Sequence, residues 1–219
     1  MKPDAIIFDM DGTLMNNNPY HYKAWQTFYE KHNRNLTFDE YKKEISGRTS
    51  VEIFQTFFGK EMTPEEITTY ANEKNLLYRQ IYEPHIKPVD GLLPLLKEIY
   101  EHQIPMCIAT SGTPQNVRFM FKHIPIEKYF VRVIDASEVT HGKPAPDIFL
   151  KAASYANANV AKCIVFEDSV NGVAAARAAN MKVVGVATTE TGEALKDTNA
   201  VIENYTQINL SALEKLLDK

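Results

Sequence analysis

Residues 4–14 read Asp4-Ala-Ile-Ile-Phe8-Asp9-Met-Asp11-Gly12-Thr13-Leu14. A short apolar run, rich in strand formers, breaks abruptly into two acids and a glycine. A run that is apolar without alternation predicts a strand covered on both faces, which is the situation in a parallel sheet. Working outward, similar runs recur at residues 105–109, 131–134, 162–166 and 182–187, with a weaker one at 200–202. Helical patterns fall between and after them, at 91–102, 114–123, 147–156, 171–180 and 210–217. Alternation of strand and helix predicts an α/β fold, a parallel sheet with helices on both faces.

Between the first strand and Gly91 the rhythm changes, and only helical patterns are present. Residues 20–31 carry Trp25, Phe28 and Tyr29. Thr37-Phe-Asp-Glu40 and Thr63-Pro-Glu-Glu66 both have the spacing of a capping box, and Pro64 suits the first position of a helix. A helical domain inserted after the first strand is therefore expected, over about residues 15–88 by this pattern.

Bulk properties exclude several classes. The chain has 219 residues, 44% hydrophobic and 24% charged, with a net charge of −4. A nucleic-acid binder would carry a basic surplus. No apolar stretch approaches the ~20 residues needed to span a bilayer. Cys107 and Cys163 lie inside apolar runs, so both are expected as buried thiols rather than a disulfide. No leader-like segment is recognised, and a cytoplasmic monomer is the expectation.

In an open parallel sheet, ligands bind beyond the carboxyl ends of the strands. After the first strand, Asp9 and Asp11 can reach one crevice. One can attack phosphorus or hold a metal while the other moves a proton. The same segment also reads as an Asp-Gly turn capped by Thr13. After the second, Thr110-Ser111-Gly112 offers hydroxyls and backbone N–H groups at a helix start, an anion site or an ordinary N-cap. After the third, Lys143 precedes two prolines, as a phosphate-neutralising cation or a solvated turn lysine. After the fourth, Glu167 and Asp168 close an apolar strand. Adjacent buried acids need a cation, and a divalent metal is the natural one; otherwise they form an exposed acidic turn. The four segments in combination point to phosphoryl transfer.

On these residues the chain resembles the haloacid dehalogenase superfamily over essentially its whole length. The matching strings are FDMDGTL, GKPAPDIF and FEDSVNGVAAARAA. The resemblance implies a Rossmann-like core (residues 1–14 and 89–219) and a helical cap (15–88), with the site at their interface. It implies Asp9 as nucleophile, Asp11 as acid/base, and Thr110 and Lys143 on the transferring phosphoryl group. It also implies Mg²⁺ held by Asp9, the backbone carbonyl of Asp11 and Asp168, with Glu167 in support. An aspartate at position 11 points to phosphate esters rather than to dehalogenation.

Within the superfamily, the branch of beta-phosphoglucomutase and small sugar-phosphate phosphatases is the most similar. His21 resembles a cap histidine that pairs with the acid/base aspartate, and Lys74 resembles a cap lysine that meets substrate phosphate. In the cap loop, Gly47 aligns with the mutase glycine. Ser46 and Ser50 stand where the mutase has lysine and arginine, while Arg48 reads either as taking over the grip or as a salt-bridge partner inside the cap. With two cations missing, the expected reaction is hydrolysis of a small phosphorylated metabolite. Phosphosugar isomerisation is the alternative, and a catalytically silent phosphometabolite-binding regulator is the alternative of another class.

Overall fold

The computed structural model describes residues 1–45 and 48–218, and it divides into two compact units, Met1–Asn16 with Ile86–Lys219, and Asn17–His85.

The first unit is built on a six-stranded sheet. Its strands are β1 (Ala5–Phe8), β2 (Met106–Ala109), β3 (Arg132–Ile134), β4 (Cys163–Glu167), β5 (Lys182–Val186) and β6 (Ala200–Ile202), in the order β3-β2-β1-β4-β5-β6. Every pairing is parallel. β1, β2 and β4 are buried at every position, as expected for strands covered on both faces. Strand alternation sorts the side chains into two layers. Ala5, Ile7, Cys107, Ala109 and Val165 join a core cluster with Phe149 and Ala152. On alternate positions, Phe8 stacks on Phe166 at 4.9 Å between ring centroids, and Tyr205 packs against both. Both cysteines are buried and free.

The second unit contains α1 (Asn18–Lys31), α2 (Phe38–Glu44), α3 (Ser50–Phe58) and α4 (Pro64–Tyr82). Trp25, Phe28, Tyr29, Phe54 and Phe57 form its aromatic core. Capping boxes start α2 at Thr37 with Glu40 and α4 at Thr63 with Glu66, as the spacing predicts. A third starts α3, where Thr49 pairs with Glu52. Each box satisfies two of the N–H groups that a helix start leaves unpartnered.

The remaining helices return to the first unit: α5 (Leu92–Glu101), α6 (Pro114–His123), α7 (Asp147–Tyr155), α8 (Val170–Ala178) and α9 (Leu210–Leu216). α7 packs on β1, β2 and β3, α8 packs on β4 and β5, and α5 packs on α9. Among the described residues, no helix is long and apolar enough to cross a membrane.

Candidate active site

The sheet extends one residue past β1 and one past β2. Asp9 N–H donates to the Phe166 carbonyl at 3.0 Å, and Thr110 N–H donates to the Ile134 carbonyl at 3.0 Å. Asp9 and Thr110 therefore sit at the carboxyl edge of adjacent central strands. Past Asp9 the chain turns back on itself. Leu14 N–H donates to the Met10 carbonyl at 2.9 Å, and Gly12 takes a left-handed φ of 80° that a side chain would strain.

Four charged side chains meet at this edge. Lys143 Nζ donates to Asp9 Oδ1 and to Glu167 Oε1, both at 2.5 Å. Asp9, Glu167 and Asp168 each offer a carboxylate oxygen within 4.8 Å of the others, and all three residues are buried. Three acids thus face one ammonium in a region with little water. Burial pushes the Asp9 carboxyl well above its ordinary range, and Glu167, Asp168 and Asp11 add to that against the pull of Lys143. Burial and then Glu167 push the Asp168 carboxyl up to about 8. Burial works to lower the Lys143 ammonium, but Asp9 and Glu167 outweigh it and hold the lysine above its usual range. The cluster has an excess of negative charge, and its all-oxygen donor set suits a hard divalent cation.

Glu167 is held by a dense set of donors. Its Oε2 accepts from Asp168 N–H and Ser169 N–H, both at 2.9 Å, and from Ser169 Oγ at 3.0 Å. Ser169 also caps α8, accepting from Gly172 N–H at 3.0 Å. A Cβ on Gly172 would lie 1.7 Å from Glu167 Oε1. The carboxylate occupies the space that only glycine leaves at that turn of α8. Alanine is a better helix former than glycine by about 1 kcal/mol. Displacing a bonded carboxylate by overpacking costs about 1–3 kcal/mol. Gly172→Ala is therefore expected to lower stability, read as the denaturant midpoint in EDTA. An equal or higher midpoint would contradict this packing.

The Thr110 hydroxyl is fully buried and accepts from Gly112 N–H at 2.8 Å. A Cβ at Gly112 would stand 3.0 Å from Thr110 Oγ1 and 3.2 Å from Asp11 Oδ2. The glycine thus lets the first two strand-end loops approach, with Asp11 next to Thr110. Ser111 is exposed. The N-cap of α6 is Thr113, whose hydroxyl accepts from Asn116 N–H at 3.3 Å, so neither Thr110 nor Ser111 is used for capping.

Lys143 differs from the sequence expectation in one respect. It does not close β3, which ends at Ile134. Asp135 starts a 3₁₀ turn there, accepting from Ser137 N–H at 2.9 Å, and a longer loop then carries the lysine back to the cluster. The Lys143–Pro144 peptide is cis.

Three groups not singled out from the sequence complete this edge. Thr189 Oγ1 donates to Asp168 Oδ2, and Thr188 Oγ1 donates to the Gly12 carbonyl. The buried Tyr205 hydroxyl donates to the Thr13 carbonyl at 3.1 Å. Thr188 and Thr189 follow β5, an apolar strand whose end could have been read by the rule applied to the other strands. Tyr205 has no comparable signal.

The cap candidates lie in the helical unit. His21 stacks on Tyr78 with ring centroids 3.8 Å apart, and its Nδ1 lies 2.9 Å from Lys74 Nζ. Lys74 is buried, with its ammonium 5.2 Å from the Trp25 ring centroid. Arg48 is exposed just ahead of α3. Gly47, expected in the phosphate grip, and its neighbour Ser46 lie outside the described residues.

The fold and this edge define a class: an α/β protein that gathers carboxylates and a lysine beyond the ends of its central parallel strands. A model of haloacid dehalogenase-like hydrolases matches residues 6–186. The chain belongs to that family. It is 31% identical to the fructose-1-phosphate phosphatase YqaB of Escherichia coli (strain K12) over 185 residues, 83% of this chain and 95% of that protein. It is 30% identical to the beta-phosphoglucomutase of Bacillus subtilis (strain 168) over 220 residues, 96% and 94% of the two chains. A crystal structure of a family IA, variant 3 hydrolase from Entamoeba histolytica HM-1:IMSS superimposes with a TM-score of 0.92 at 31% identity, covering all of both chains.

Proposed function

We propose that this protein hydrolyses phosphate monoesters of small, sugar-like metabolites in the cytoplasm through a phosphoaspartyl intermediate on Asp9. The observation that carries the reading is the buried cluster in which Asp9 meets Lys143, Glu167 and Asp168 at the carboxyl edge of the sheet. Similarity to a fructose-1-phosphate phosphatase supports the substrate class.

The excess of buried carboxylate fits a divalent cation, and Mg²⁺ favours oxygen donors together with substrate phosphate. Asp9, Asp168 and the backbone carbonyl of Asp11 would hold it, with Glu167 in support. When bound, Mg²⁺ offsets the negative charge of the phosphate and so reduces its repulsion of the nucleophile. Lys143 and Thr110 bind the oxygens of the transferring group, joined by backbone N–H groups near Met10 and Asp11. Charges and donors fixed in advance are the main contribution of a protein to phosphoryl transfer.

An Asp9 carboxylate oxygen forms a bond to phosphorus as the ester P–O bond breaks, and Asp11 gives its proton to the leaving oxygen. Asp11, now a carboxylate, takes a proton from water as that water attacks phosphorus. The Asp9–phosphorus bond breaks, and inorganic phosphate leaves.

A panel of sugar phosphates and a generic aryl phosphate, each with Mg²⁺ and with EDTA, tests the reading. Phosphate release from sugar phosphates that disappears in EDTA is expected. The relationship to a beta-phosphoglucomutase keeps a second reaction open to the same assay. With beta-glucose 1-phosphate and a trace of the 1,6-bisphosphate, accumulation of glucose 6-phosphate in place of free phosphate would make the protein a mutase. Inertness to every ester would favour a silent phosphometabolite-binding regulator.

A further inference from the structure

We infer that Thr189 is a positioning residue for Asp168, fixing the carboxylate in the orientation that receives the divalent cation. The inference rests on the cation-dependent reading of the acidic cluster. Asp168 follows β4 and is only 3% exposed, whereas Thr189 is an exposed residue of the segment after β5. The Thr189 hydroxyl nevertheless reaches in to donate to Asp168 Oδ2. Thr13 Oγ1 donates to the other oxygen, Oδ1, at 3.4 Å.

The chemistry follows from what a carboxylate can accept. Each carboxylate oxygen has about two lone-pair sites, so an oxygen that accepts from a hydroxyl can also bind a cation. The terminal torsion of an Asp side chain is broad, and nothing in the covalent structure sets the plane of the carboxylate. A donor from outside the strand sets it. Hydrogen bonds from O–H to a charged carboxylate are among the stronger ones in proteins. Groups that orient a metal ligand in this way change metal affinity by about 10–100-fold when removed.

The turn also grips the other half of the site. Thr188 Oγ1 donates to the Gly12 carbonyl, within the loop that carries Asp9 and Asp11. Two consecutive threonines just after β5 thus tie the nucleophile loop and the acid after β4 to one segment.

Valine preserves the β-branched shape of threonine without its hydroxyl, so the Thr189→Val comparison isolates the hydrogen bond. Metal-stripped wild type, Thr189→Val and Thr189→Ser are titrated with MgCl₂ by isothermal calorimetry, with melting followed by circular dichroism. Thr189→Val is expected to weaken Mg²⁺ binding about 10-fold while melting as a folded protein, and Thr189→Ser, which retains the donor, stays within about threefold of wild type. A Thr189→Val affinity within about twofold of wild type overturns the inference, and so does a Thr189→Ser affinity as weak as that of Thr189→Val. The wild-type titration tests the cation reading by itself: no Mg²⁺ binding there sinks that reading, and this inference with it. Normal wild-type binding with unaffected variants sinks the positioning role alone.

Discussion

Asp9→Asn abolishes turnover, by a factor on the order of 10⁴ or more, and leaves the protein folded. The size follows from the role: when the attacking group is removed, the remaining machinery cannot substitute for it. Asparagine retains the shape and one carbonyl oxygen, and Lys143 bonds Asp9 through a single oxygen, Oδ1. The amide can keep that contact. Stability should hold or rise, by the following reasoning. The Asp9 carboxyl is raised above its ordinary range by burial and by three neighbouring acids. A carboxyl with a raised folded pKa stabilises the fold below its unfolded pKa, and that contribution is lost as pH rises through the folded value. At neutral pH without metal, the buried Asp9 carboxyl is thus a burden that asparagine removes. Three measurements distinguish this from simple damage. Phosphate release should vanish. Acid-quenched protein incubated with labelled substrate should lose its covalent label. The melting midpoint in EDTA should equal or exceed that of wild type. Substantial residual turnover by Asp9→Asn would remove the nucleophile from the scheme.

The strands were legible because each buried strand is written as an uninterrupted apolar run. Ile6–Phe8 and Cys163–Phe166 carry almost no other information. The acids at their ends were legible for the opposite reason, since Asp9, Glu167 and Asp168 interrupt such runs where a buried charge is otherwise expensive. Thr37 and Thr63 announced their helices because a capping box is local, four residues long. Thr49 with Glu52 obeys the same rule, but Thr49 lies inside the segment that was read as a phosphate grip. The groups that sequence reading missed share a different property. Thr189 reaches Asp168 across 21 residues, and Tyr205 reaches Thr13 across 192. No local pattern encodes such a contact. Gly172 is intermediate: it was visible within the FEDSVNG string, but its reason for being glycine is the Glu167 carboxylate folded back onto α8. Lys143 was singled out as lying after the third strand, but its place in the cluster is not written at that strand's end, because the 3₁₀ turn begun at Asp135 carries the chain away before it returns.

The second large effect is that of Lys143→Met. Methionine keeps much of the buried stem, and the substitution removes the ammonium that bridges Asp9 and Glu167. Deleting one partner of a buried ion pair costs about 3–5 kcal/mol, because the other charge is left uncompensated. For a chain of this length that corresponds to a fall in melting midpoint of about 10 °C. The fall must depend on pH. Without the lysine, the burial and mutual repulsion that raise the Asp9 and Asp168 carboxyls are opposed less, although the Thr189 hydroxyl still acts against them at Asp168. Their protonated forms are tolerated and their ionised forms are not, so the deficit should be large at pH 8 and shrink as pH falls towards 5. Mg²⁺ at pH 8 should restore part of the difference, since it supplies positive charge to the same oxygens. Turnover should fall by about 10²–10³-fold even under saturating Mg²⁺, the usual consequence of losing one fixed electrostatic partner of the transition state. Melting curves at both pH values, in EDTA and in Mg²⁺, decide the matter. A midpoint at pH 8 in EDTA equal to that of wild type would mean that the three carboxylates do not depend on Lys143, and the electrostatic account of the cluster would have to be abandoned.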